Sequence, residues 1–203
     1  MATAKVITPL LNEYPPYKLV CGTDEAGRGP LCGAVVAAAV ILPDGYYHAA
    51  LNDSKQIKKE ATRELLYEHI VANALAYSIQ EVDNRTIDEI NILQASLRAM
   101  DMSIKALSVR PDIVLVDGNQ FYRSYPLPVQ TVVKGDSIYT AIAAASILAK
   151  VHRDRLLDKM HEEYPMYGWK NNKGYGVPEH VEAIGNHGLT PYHRVKFSQK
   201  FVK

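Results

Sequence analysis

The sequence predicts an α/β fold: a central mixed β-sheet flanked by helices, with a C-terminal helical segment. Three observations point there. Two apolar runs near the N-terminus, Tyr17 to Thr23 and Cys32 to Leu42, are separated by a glycine-rich turn and suit an antiparallel pair. Further on, short apolar runs alternate with stretches of helical periodicity. From Tyr164 to Lys203 the chain becomes richer in Gly, Pro, Tyr and His, which suits an appendage packed on the sheet. The division expected is a main domain over 1–163 and a helical segment over 164–203 packed on it.

The elements follow in order. Residues 1–16 end in Tyr14-Pro15-Pro16 and read as a lead-in. The first strand ends at Thr23, so Asp24 closes it, and Gly27-Arg28-Gly29-Pro30 makes the turn to the second strand. Ile57 to about Leu75 reads as a helix with Leu65, Leu66, His69 and Ile70 on one side. Ala76 to Val82 is a strand. Thr86 and Glu89 have capping-box spacing, and behind them Ile90, Leu93, Leu97, Met100, Ile104 and Leu107 recur at steps of three and four, an amphipathic helix closed before Pro111. Asp112 to Val116 and Val129 to Val133 are short strands. Ser137 to about Met160 is a long alanine-rich helix with Asp136 placed as its cap. A last helix starts near Pro178.

Composition removes several classes of function. Hydrophobic residues make up 47 % of 203, enough for a packed core, and the formal net charge of +1 gives bulk electrostatics no part in binding nucleic acid, so any basic surface is local. Cys21 and Cys32 form neither a disulfide framework nor a CxxC zinc spacing and suit a reducing cytoplasm. Residues 1–18 hold Glu13 and three prolines without an apolar core, unlike a signal peptide. The longest apolar run, Ala34 to Leu42, is too short to span a bilayer. The expectation is a cytoplasmic monomer with no membrane contact.

Acidic residues then stand out by position. Asp24 ends the first strand, Asp117 ends the Asp112–Val116 strand, and Asp136 follows the next one, all where α/β sheets build their sites. Glu25 joins Asp24 only if the strand stops there and the turn rotates it round, because adjacent strand residues point to opposite faces. Four converging carboxylates repel one another unless cations intervene, and an oxygen-only donor set suits Mg²⁺ or Mn²⁺ over Zn²⁺. Taken singly, each of these residues also serves as a turn former or helix cap. The conjunction is what argues for a site: Asp-Glu beside Gly-Arg-Gly sets two anions next to a phosphate-seeking arginine. Gly22 and Gly27 have P-loop spacing, but Arg28 and Gly29 stand where that loop needs Lys and Ser or Thr.

The block GTDEAGRGPLCGAVVAAAV, from Gly22 to Val40, resembles the N-terminal signature of ribonuclease HII, the bacterial type 2 ribonuclease H. The resemblance continues through Asp53-Ser54-Lys55, Val116-Asp117-Gly118, Lys134-Gly135-Asp136-Ser137, Ala145 to Val151 with Arg153-Asp154, and Lys173-Gly174-Tyr175-Gly176, spanning roughly Tyr17 to Phe197. Arg28 and the short N-terminus favour type 2 over type 3, which carries a Gly-Lys-Gly-like turn and an extra N-terminal domain. The resemblance implies a ribonuclease H-like fold, with residues 1–163 as the catalytic domain and 164–203 contributing to substrate binding, and that Asp24, Glu25, Asp117 and Asp136 bind two divalent ions and catalyse cleavage. It implies that Gly27, Arg28 and Gly29 read the ribose 2′-OH and adjoining phosphates, and that Tyr175 stacks on the sugar of the following deoxynucleotide. Lys55 resembles a phosphate-contacting lysine; its plainer reading is a solvated charge.

Ser146, Lys150 and Arg153 fall on one helical face, suited either to a nucleic-acid backbone or to solvent and ion pairs. His187, His193 and Arg194 match the family's tail pattern in part: a second arginine usually follows His-Arg, and Val195-Lys196 stands here instead, which bears on a secondary phosphate contact. His69 and His152 read as packing or surface residues. The implied activity is endonucleolytic cleavage of the RNA strand of RNA–DNA hybrids and of duplex DNA on the 5′ side of a lone ribonucleotide, leaving 3′-OH and 5′-phosphate ends. The alternatives are another nuclease of the same superfamily and a non-catalytic hybrid-binding module.

Overall fold

The computed structural model describes residues 9–52 and 57–203. Five strands, β1 (Val20–Ala26), β2 (Val35–Ile41), β3 (Ala76–Val82), β4 (Ile113–Asp117) and β5 (Val129–Val132), form one sheet in the order β3-β2-β1-β4-β5. β2 is antiparallel to both β1 and β3, while β4 is parallel to β1 and β5 is parallel to β4, so the sheet is mixed as predicted.

β2 is buried at all seven positions because helices cover both faces. On one face Val35, Ala37, Ala39 and Ile41 pack with Cys21, Val114, Val116 and α3 (Ile92–Lys105). On the other, Val36, Ala38 and Val40 pack under α1 (Glu60–Asn73) and the long α4 (Thr140–Glu163). Alanines cluster at positions 37–39 of β2 and at 141, 143–145 and 149 of α4, so the helix lies close to the sheet. Each large aliphatic chain fully buried here, such as Ile41, Leu66 or Leu148, contributes about 1.5–3 kcal/mol relative to exposure.

Three local expectations need correction. β1 does not stop at Asp24. Its ladder with β2 continues through Asp24–Ala38, Glu25–Ala37 and Ala26–Val36, because main-chain pairing is indifferent to the charge of the side chains. The helix predicted behind Thr86 and Glu89 is two helices. Asp83, not Thr86, caps α2 (Asn84–Ile90) by accepting the Thr86 amide at 2.8 Å. Asn91, at φ 69°, breaks the chain and caps α3 by accepting the amides of Leu93 and Gln94. Asp136 is not a helix cap either. The Gly135 carbonyl accepts the amides of both Ile138 and Tyr139, closing a separate 3-10 turn (Gly135–Ser137) before α4 begins at Thr140.

After α4 come α5 (Trp169–Asn172), α6 (Pro178–His187) and α7 (Val195–Ser198), with α6 starting at the predicted proline. Trp169, Tyr167 and Ile184 form a small core against Leu157 and Met160 of α4, and the Trp169 indole donates to His180 Nε2 at 3.0 Å. Among the described residues no helix is long and apolar enough to cross a membrane.

Candidate active site

The register of β1 places the carboxylates. Its pairing with β4 ends at Thr23–Val116, so from Asp24 onward β1 has a neighbour on one side only and the sheet opens. Asp24 shares a face with Gly22, toward α4, and Glu25 takes the opposite one. With no β4 neighbour beyond Thr23, both carboxylates still sense Asp117, so the strand need not stop at Asp24 for them to share a site. Gly22 lets that helix settle on the strand, because a Cβ there would overlap the main chain of Ala141 and Ile142. One turn further along α4, the Ser146 hydroxyl hydrogen-bonds the Asp24 carboxylate, which also accepts the Glu25 amide at 2.7 Å.

Glu25 accepts from Arg28 Nη1 at 3.1 Å. Together these two residues line a cleft of about 140 Å³ that also contains Asp117. Asp117 ends β4, and its Oδ1 accepts the Gly135 amide at 2.7 Å, which ties it to the turn carrying Asp136. Asp136 itself is exposed.

The four carboxylates share one electrostatic neighbourhood centred on Asp117, whose charge discourages ionisation of Asp24, Glu25 and Asp136 alike. The shift is largest at Asp24. Burial, then the adjacent Glu25, push it up to about 8 despite the Ser146 hydrogen bond. Burial also raises Glu25 against the opposing pull of Arg28, and raises Asp136. Among the described residues no three His, Cys, Asp or Glu side chains close into a ready metal cage. The donor set nonetheless suits a hard divalent cation: it is all oxygen, crowded with like charge, and includes a buried carboxyl that would ionise fully only with positive charge beside it.

A second cleft, about 340 Å³, adjoins the first. Gly27, Arg28 and Gly29 form one wall, with Ser146, Lys150 and Tyr175 opposite. Sequence reasoning named all six, and the structure brings them together. Gly27 needs to be glycine: its φ is 98° and Arg153 fills the space where a Cβ would sit. Tyr175 is 47 % exposed beside Gly29, on a loop held by its own amide to the Asn172 carbonyl and by the Gly174 carbonyl to the Leu31 amide. Lys150 is bound to Asp154 at 2.6 Å and remains one-third exposed. Lys55 lies outside the described residues.

One expectation fails here. Arg153 does not share an exposed face with Ser146 and Lys150; it is 1 % exposed and turned inward. Arg194, whose role the partial tail match left open, is fully buried. Both guanidiniums reach main-chain carbonyls beneath the Gly27–Gly29 turn, a role that no motif signalled. His193 is buried as well, bonded to His180 and Thr190.

A larger cavity of about 770 Å³ lies along the β5 edge, lined by Phe121, Tyr122 and Tyr125 and sharing Leu93, Asn119 and Gln120 with the carboxylate cleft.

Comparison with known proteins fits this geometry. The chain matches the family described as Ribonuclease HII over residues 21–200. It is 52 % identical over 193 residues to ribonuclease HII of Bacteroides thetaiotaomicron, covering 95 % of this chain and 94 % of that one. Its structure resembles ribonuclease H2 from Pyrococcus horikoshii OT3 with a TM-score of 0.75 at 26 % identity, covering 91 % of this chain and 99 % of the other. It shares a fold with Bst-RNase HIII in complex with Mn²⁺, with a TM-score of 0.66 at 16 % identity over 90 % of this chain and 68 % of that one. The chain therefore belongs to the ribonuclease HII family and is an endoribonuclease of the ribonuclease H class.

Proposed function

We propose that the chain hydrolyses the RNA strand of RNA–DNA hybrids and cuts on the 5′ side of single ribonucleotides embedded in duplex DNA, leaving 3′-OH and 5′-phosphate ends. One observation carries the reading: the carboxylate cleft and the Gly27–Gly29 turn adjoin through Glu25 and Arg28, which line both clefts. Phosphate chemistry and ribose recognition thus fall on consecutive stretches of chain.

Asp24, Glu25, Asp117 and Asp136 would hold two Mg²⁺ or Mn²⁺ ions, consistent with the Mn²⁺ bound by the Bst-RNase HIII relative. Such ions supply a water of lowered pKa and charge neutralisation at the leaving oxygen. The chain's own residues do the rest. Ser146 and the Glu25 amide fix the Asp24 carboxylate, and the Gly135 amide fixes Asp117. Arg28, 52 % exposed at its side chain, can exchange Glu25 for a phosphate when substrate arrives. The turn glycines let main-chain groups approach the sugar, where the 2′-OH separates RNA from DNA. Tyr175 offers a flat surface to the next sugar. Lys150, one-third exposed, can exchange Asp154 for a backbone phosphate in a chain whose net charge is only +1.

The division into a domain over 1–163 and a substrate-binding segment over 164–203 accords with Tyr175 facing Gly29 from the latter. The protein would act as a monomer in the cytoplasm. The decisive experiment offers a duplex with one ribonucleotide, an all-DNA duplex and a branched DNA, with Mg²⁺, Mn²⁺ or EDTA, and maps the product ends. The expected result is EDTA-sensitive cutting 5′ of the ribonucleotide only. Equal cleavage of all-DNA or branched substrates would instead indicate another nuclease of the superfamily, and binding without cleavage a hybrid-binding module.

A further inference from the structure

Two arginines, Arg153 and Arg194, are buried side by side, and among the described residues neither forms an ion pair. A buried cation without a counter-charge is costly unless every donor is satisfied. Main-chain carbonyls satisfy these. Arg194 donates from Nη2 to Gly27 O at 2.6 Å and Ala34 O at 3.3 Å, from Nη1 to Pro30 O at 2.9 Å and Arg28 O at 3.0 Å, and from Nε to Gly33 O at 3.0 Å. Arg153 donates to Cys32 O and Ala34 O from the other side, and to Lys173 O. The chain from Gly27 to Ala34 is therefore wound round one guanidinium. That guanidinium is itself moored: the Arg194 amide donates to Leu31 O, and Asp88 accepts the amides of Val195 and Lys196.

In a trans peptide the C=O and the following N–H point in opposite directions. With the Gly27 and Arg28 carbonyls drawn inward to Arg194, the amides of Arg28 and Gly29 point away from it, on the side where these residues line the cleft opposite Tyr175. We propose that Arg194 is a positioning residue for ribose selection, holding the Gly27–Gly29 turn so that the Arg28 and Gly29 amides face the scissile nucleotide. This rests on that turn reading the ribose. The C-terminal segment then serves selectivity twice, through Tyr175 at the surface and through Arg194 beneath it.

The test uses the full chain carrying Arg194→Lys, which keeps charge and length but cannot fork to five carbonyls. It is assayed below its own melting temperature, under single turnover, on the duplex with one ribonucleotide. A rate loss of about tenfold with the half-saturating Mg²⁺ concentration unchanged is expected. Gly29→Ala, whose Cβ would press Tyr175 at 3.3 Å, disturbs the same turn. The double variant is expected to lose no more than the worse single variant. A wild-type rate in folded Arg194→Lys, or losses that multiply fully in the double variant, overturns the proposal.

If Arg194→Lys does not fold, amide exchange in the wild type decides. The Arg28 and Gly29 amides should exchange quickly in the free protein. They should slow with the one-ribonucleotide duplex under Ca²⁺ and stay fast with an all-DNA duplex; slow exchange in the free protein, or equal slowing by both duplexes, refutes the idea. Absence of any hybrid cleavage by the wild-type chain would instead sink the functional reading itself.

Discussion

Asp117 Oδ1 accepts the Gly135 amide at 2.7 Å, joining the last residue of β4 to the turn that carries Asp136. Two carboxylates from separate parts of the chain are thereby held in one relation by a main-chain bond. Asp117 also adjoins Asp24 and Glu25 electrostatically, so it is the common neighbour of the set.

Asp117→Asn tests that centrality. An amide can still present an oxygen to Gly135, so the fold should survive, but the charge is gone. Cleavage should fall by about 10²-fold or more, the scale of one lost electrostatic contact at a reacting centre. Retention of more than a tenth of the wild-type rate, at any Mg²⁺ concentration, would remove Asp117 from the machinery.

Asp24→Asn should abolish cleavage while leaving hybrid binding within about threefold, since the change loses a catalytic charge and no phosphate contact. It should also stabilise the metal-free protein. Asp24 is held protonated up to about 8. A carboxyl raised in the fold contributes stability below its unfolded pKa near 4, and that contribution is lost as pH rises toward 8. In EDTA, the wild type should therefore lose melting temperature from pH 5 to 8 more steeply than the variant, with Mg²⁺ restoring it in the wild type alone. Parallel melting curves for the two proteins would contradict this.

Tyr175→Ala should slow cleavage at a lone ribonucleotide by about tenfold or more, in keeping with the loss of one aromatic stacking surface. The Mg²⁺ requirement should not move, because Tyr175 lines the turn cleft and not the carboxylate cleft. An equal loss of metal affinity would count against stacking.

His193 predicts an acid limb. Burial, with His180 alongside, lowers it to about 4. Between pH 6.5 and 4 the unfolded chain binds a proton that the folded one refuses, so the stability present above 6.5 drains away as pH falls. The melting temperature should drop by about 5 °C more between pH 7 and 5 in the wild type than in His193→Gln. Circular dichroism melts at the two pH values would show it, and identical drops would reject it.

What the sequence made readable follows from what each residue needs. β2 was plain because an unbroken apolar run of strand length has few other fates, and α3 because its apolar positions repeat at helical spacing. The site residues were readable because unusual types cluster: Asp24-Glu25 beside Gly27-Arg28-Gly29. The point where β1 ends was not readable, since Asp24 and Glu25 stay in the ladder through Ala38 and Ala37, partners fixed at long range. Asp136 looked like a cap because Asp before a helix usually is one; instead the Gly135 carbonyl accepts two amides in a separate turn, and Tyr139 holds the cap position of α4. Arg194 was the hardest, because its partners are carbonyl oxygens, which every residue owns and no side-chain pattern announces.

Gly22 sets the gauge of the whole site. The absent Cβ lets α4 lie on β1 at main-chain distance, and Ser146 reaches Asp24 only from there. A helix turns about 100° per residue, so one residue inserted between Ile142 and Ser146 would swing the hydroxyl to another face and carry Ile147, Leu148 and Val151 off the sheet with it. Over those few residues the protein counts as well as packs.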